Sequence, residues 1–156
     1  MGLLNVLSMG RERFDSLPAV LQLGLSLLGT VAMLWGVFGL LVVLPSMPRS
    51  ESGFAEGLAF ILYGLYFLGG FVILALGLLI PQRHGTGIHF SRRQRRLLSY
   101  GVLAPVAGVV AIPLVIQLAP AALEPVQPAV LVGLMLFALT GPLATLVVLA
   151  SKLRPW

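Results

Sequence analysis

The chain has 156 residues, 58% of them hydrophobic and only 10% charged, with a mean hydropathy of +1.03. Water-soluble domains carry about 25% charged residues, so this composition points to the bilayer as solvent. The net charge of +5 sits at the edges of apolar runs rather than on one extended face, which argues against nucleic acid as a partner, and the lack of cysteine excludes disulfide scaffolds, thiolate metal sites and cysteine nucleophiles.

Residues 1–16 read as an interfacial amphipathic segment. At about 100° per residue, Leu3, Val6, Leu7 and Phe14 share one side of a short helix over residues 3–15, with Asn5, Ser8, Glu12 and Asp15 opposite. The apolar run that follows is roughly twice as long as a signal-peptide core and has no A-x-A site after it, so it predicts an uncleaved anchor. Val6 stands where N-myristoylation would need serine or threonine.

Residues 17–156 read as a domain of four spans, each near the roughly 20 apolar residues that cross about 30 Å of hydrocarbon. The first is 19–44, with Asp15 or Ser16 as cap, Pro18 in its opening turn and Pro45 as its stop. Lipid is as apolar as leucine, so helices in it associate through close contact of small residues. On this span Gln22, Ser26, Gly29, Met33 and Gly36 recur at spacings of four and three, which predicts its packing stripe. The loop from Pro45 to Gly53 is too short for a folded module.

The second span is 57–80, ended by Pro81. Glu56 complements the positive end of its helix dipole. Gly57 and Gly64 lie on one face and Gly70 and Gly77 on another, beside a broad aromatic side of Phe60, Tyr63, Phe67 and Phe71. Two glycine faces predict either two neighbours or one neighbour and a second copy of the chain.

The connector 81–96 carries R-H-G-T-G-I-H-F and then S-R-R-Q-R-R. His84 and His89, without a carboxylate or thiol beside them, make a poor metal site. Gly85 and Gly87 are followed by neither the third glycine of a dinucleotide fingerprint nor a Walker lysine–serine pair. Arg92, Arg93, Arg95 and Arg96 predict contact with anionic lipid head groups and, equally, a topology anchor.

The third span is 97–118, with Gly101, Ala104, Pro105, Gly108 and Ala111 as its small-residue side and Pro120 beyond it; the fourth is 129–150, with Ala129, Gly133, Thr140, Ala144 and Ser151. Pro105, Pro113 and Pro142 each remove a backbone donor and predict local bends. The loop Ala119 to Pro128 is again short and proline-rich.

Nine of the ten basic residues — Arg11, Arg13, Arg83, Arg92, Arg93, Arg95, Arg96, Lys152 and Arg154 — fall in segments that four spans place on one side, against Arg49 on the other. The positive-inside rule then predicts a cell-membrane protein with both termini and the 81–96 connector in the cytoplasm. By depth alone, Thr30, Tyr66 and Thr140 lie close to the bilayer middle, and the Tyr66 hydroxyl is expected to bond to Thr30, Thr140 or a nearby carbonyl.

The carboxylates Glu12, Asp15, Glu51, Glu56 and Glu124 and both histidines lie outside the span centres. Ion-coupled carriers place such groups inside the bundle. No nucleophile–base set or H-E-x-x-H helix appears, and two loop histidines cannot hold a membrane haem. The sequence therefore predicts an all-α membrane protein, a four-helix bundle without a cofactor. Its expected role is that of a non-enzymatic accessory or scaffold subunit, with a protein partner or further copies of itself. The alternative is a small oligomeric channel or transporter whose path would be lined by Ser26, Thr30, Gln117 or Thr140.

Overall fold

A computed structural model describes residues 2–48, 53–80, 88–118 and 126–153, with side chains for 17–48, 53–80, 88–117 and 126–152. Arg49, Glu51, Arg83, His84, Glu124, Arg154, Pro81 and Pro120 lie outside the described residues, as do the side chains of Arg11, Glu12, Arg13 and Asp15. All described elements are helical: α1 (Gly2–Phe38), a π-turn (Gly39–Val43), α2 (Leu44–Ser46), α3 (Phe54–Leu79), α4 (Arg92–Leu118) and α5 (Gln127–Leu153). Four stretches, Leu17–Ser46, Phe54–Leu79, Arg92–Gln117 and Gln127–Lys152, are long and apolar enough to cross a membrane.

The first helix departs from expectation at both ends. No break separates residues 2–16 from the span: α1 runs through Asp15 and Ser16, so neither is an N-cap, and Pro18 lies inside the helix. At the other end Pro45 does not stop the helix but sits in the one-turn α2, and the chain turns extended only at Met47. Pro45 cannot donate to the carbonyl four residues back, and its ring would press on it. The wider π-turn comes immediately before it, where Gly39 is buried under the Tyr63 ring.

The helices form two tight pairs. α1 packs chiefly on α3 and α4 chiefly on α5; α3 joins the pairs through α4 and touches α5 lightly, while α1 makes at most marginal contact with α4 and α5. The expected small-residue stripe of α1 is the one used. A methyl group on Gly29 would come within 2.6 Å of the Gly70 carbonyl oxygen, and one on Gly36 within 2.8 Å of the Tyr63 carbonyl oxygen. Gly77 in turn lies against Ser26, where an added carbon would meet its hydroxyl at 2.9 Å. Of the two glycine faces of α3, the Gly70–Gly77 face is thus the one that meets α1. Gly57 and Gly64 have no atom within 4 Å of an added carbon.

In the second pair, α4 uses the stripe expected of it: Gly101, Ala104, Pro105 and Gly108 are buried. The stripe expected on α5 is off by one residue, a rotation of about 100°. Gly133 is exposed, and the buried line is Ala138, Gly141, Thr145 and Val148. The Pro105 ring sits over Gly141, its Cγ 2.6 Å from where a side chain there would begin. A rigid ring needs a partner without a Cβ, and that requirement sets the azimuth of α5. Among the described residues, Phe71, Leu74, Ala75, Leu78, Leu98 and Val148 form an apolar core that both pairs share.

Candidate functional site

The arginine cluster stands at the end of the bundle where α4 begins and α5 ends. Ser91 and Gln94 close a reciprocal capping box: the Ser91 N–H donates to Gln94 Oε1 at 2.9 Å, and the Gln94 N–H donates to Ser91 Oγ at 3.3 Å. This local signal starts the helix at Arg92. A reading by hydropathy alone places the start at Leu97. Gln94 Nε2 also donates to Ser151 Oγ at 3.0 Å, and Ser151 donates to the Val148 carbonyl at 2.6 Å. Lys152 Nζ lies 5.5 Å from the centre of the Phe90 ring, and Leu98, one turn into α4, is fully buried. The start of α4 is therefore tied to the end of α5 by two side-chain contacts, Gln94 to Ser151 and Lys152 to the Phe90 ring. Arg92, Arg93, Arg95 and Arg96 project from that fixed turn and are all exposed.

The expected midplane cluster does not form. Thr140 donates its one hydroxyl hydrogen to the Phe137 carbonyl at 2.6 Å and accepts from the Tyr100 hydroxyl at 2.8 Å. Thr30 donates to the Ser26 carbonyl of its own helix at 2.8 Å. Tyr66 is 44% exposed and meets neither threonine. Depth placed the three hydroxyls at one level, but Thr30 belongs to the α1–α3 pair and Thr140 to the α4–α5 pair. Tyr100, which sequence reasoning passed over, is the tyrosine that reaches Thr140, with the Phe137 ring edge-on to it at 6.3 Å. The same division separates Ser26 and Thr30 from Thr140, so these residues do not line one path within a single copy of the chain. Gln117 is exposed.

A buried polar pair lies elsewhere, in the α1–α3 seam. Gln22 is only 4% exposed, and its Oε1 accepts from the Ile88 N–H at 3.3 Å. Its Nε2 and the Ser26 Oγ one turn along are buried without a hydrogen-bond partner. The sequence placed both residues on the packing stripe but gave no sign that Gln22 holds the connector at Ile88. Among the described residues no group of three or more His, Cys, Asp or Glu side chains lies together. Compared with family models, curated proteins and solved structures, the chain matches none.

Proposed function

We propose that this chain is a non-enzymatic integral membrane protein that crosses the cell membrane four times. In this reading both termini and the arginine-bearing connector face the cytoplasm, and the chain serves as an accessory or scaffold subunit of a membrane assembly. The observation that carries the proposal is the division into two helix pairs. Only 17% of the most apolar window of the first span is buried, against 28% for the second. α1 touches the rest of the chain almost entirely along one stripe, on α3, and the remaining sides are available to lipid or to another subunit. An isolated carrier or pore would instead be expected to close its helices around a common interior.

Both loops expected on the outer side are short, so a binding role rests with the helices and the cytoplasmic rim. The channel or transporter reading has less support, because its hydroxyl-bearing residues are split between the two pairs.

The test is purification from the native membrane in mild detergent after brief cross-linking. Recovery of the same protein partner in constant ratio is the expected result. Repeated recovery of the chain alone contradicts the scaffold reading. A homo-oligomer that passes solute in liposomes would replace it with the channel reading.

A further inference from the structure

The side of α4 that carries the arginines is the side turned away from the bundle. The core-facing line of this helix is Leu98, Gly101, Ala104, Pro105 and Gly108, all buried. On the opposite side, residues three and four apart are neighbours. Arg92 and Arg96 continue there into Leu103, 65% exposed, Val110, 54% exposed, and Leu114, 49% exposed. This exposed face thus changes from guanidinium groups, with Arg92 and Arg96 at its centre and Arg93 and Arg95 on its flanks, to apolar side chains within about two helical turns.

Within the protein this charge arrangement is unfavourable. The pairs Arg92–Arg95, Arg92–Arg96 and Arg93–Arg96 are like charges at helical neighbour spacing. The first turn of α4 contains no acidic residue, and the helix dipole there is itself positive. Among the described residues none of the four has an ion-pair partner. The arginines cannot escape one another by fraying, because the capping box, the Gln94–Ser151 bond and buried Leu98 hold the turn in place. A rigid cationic turn with no ion-pair partner among the described residues, above an apolar face, is complementary to a molecule with an anionic end and an apolar body.

We infer that the outward face of α4 binds an anionic glycerophospholipid. Its phosphate lies among Arg92, Arg93, Arg95 and Arg96, and its acyl chains lie along Leu103, Val110 and Leu114. Guanidinium suits a phosphodiester because its forked donors match two oxygens at once. A free phosphate would use the arginines but not the strip beneath them, and a nucleic acid would use neither the strip nor its depth. The inference rests on the membrane placement proposed above.

The experiment compares lipid retention by the detergent-purified full chain in native mass spectrometry. Phosphatidylglycerol and phosphatidylcholine of identical acyl chains are supplied in equal amounts. The wild type is expected to retain phosphatidylglycerol in clear preference, and millimolar inorganic phosphate is expected to leave that preference in place. The double variant Arg92→Gln/Arg96→Gln should lower the preference on the order of twentyfold, and Arg93→Gln/Arg95→Gln should lower it as well. Equal retention of the two lipids by the wild type overturns the inference, as does an unchanged preference in both variants. Loss of the preference to inorganic phosphate would mean a phosphate site without a lipid. Alkaline carbonate extraction of the same membranes separates the two levels. Wild type that stays in the pellet but shows no lipid preference overturns only this site, whereas release into the supernatant overturns the membrane reading itself.

Discussion

The two helix pairs solve the same problem with different chemistry. α1 and α3 meet backbone to backbone: Gly29 faces the Gly70 carbonyl, and Gly70 faces that of Gly29 at 2.7 Å from an added carbon. α4 and α5 meet through side chains set against glycine, with the Pro105 ring on Gly141 and the Thr145 hydroxyl against Gly101, and they add the Tyr100–Thr140 and Gln94–Ser151 hydrogen bonds. The difference teaches where each pair can yield. Main-chain atoms of a helix cannot move aside for a new methyl group, whereas a hydroxyl can rotate.

The largest effect is therefore expected in the first pair. Gly29→Leu or Gly70→Leu should destabilise the fold by about 3 kcal/mol or more, read as unfolding free energy in mixed micelles, because an overfilled seam can only open. A loss below that of the Gly101 variant would break the comparison. Gly101→Ala should cost about 1–2 kcal/mol, its new carbon meeting the Thr145 hydroxyl. Thr145→Ala in the same chain should recover part of that loss, and a double-mutant cycle measures the coupling between the two positions. Independent, additive effects would show that the hydroxyl is not what the alanine meets.

Smaller still, Tyr100→Phe removes one interhelical hydrogen bond, for which about 0.6 kcal/mol is the expected loss. Tyr66→Phe should cost nothing measurable, and a larger loss from Tyr66 than from Tyr100 would restore the midplane cluster rejected above. At the bottom of the scale, Gly64→Ala should change the stability of the isolated chain by less than about 0.5 kcal/mol, since its surroundings are open. A large effect there would place an unseen neighbour on that face.

The existence and approximate extent of the four spans were legible because each is an uninterrupted apolar run bounded by charge or proline. The packing stripe of α1 was legible for a further reason. Gly29 and Gly36, with Gln22 and Ser26, fall on one side, and the other sides are mostly large apolar residues, with Gly24 isolated among them. On α5 small residues occur on several sides, so Gly133 and Ala144 competed with Gly141 and Thr145. Only the Pro105 ring, on another helix, decides between them. The choice between the glycine faces of α3 was likewise not local, because it depends on which face Gly29 meets. Depth put Thr30, Tyr66 and Thr140 at one level, but a level carries no azimuth, and Tyr100 took the partner. The arginine cluster was visible as composition. The capping box of Ser91 and Gln94 was present in the same six residues, and their i, i+3 spacing was a signal for the helix start that hydropathy hid.

Placement of the four helices across the bilayer carries everything else, and the absence of cysteine makes it directly measurable. Single cysteines at Met47, Tyr66 and His89 are each unique in the chain, and intact cells can be labelled with a membrane-impermeant maleimide before and after permeabilisation. The expected result is labelling of Met47→Cys from outside, of His89→Cys only after permeabilisation, and of Tyr66→Cys in neither case. Labelling of His89→Cys from outside would contradict the orientation, and ready labelling of Tyr66→Cys would contradict the membrane placement itself.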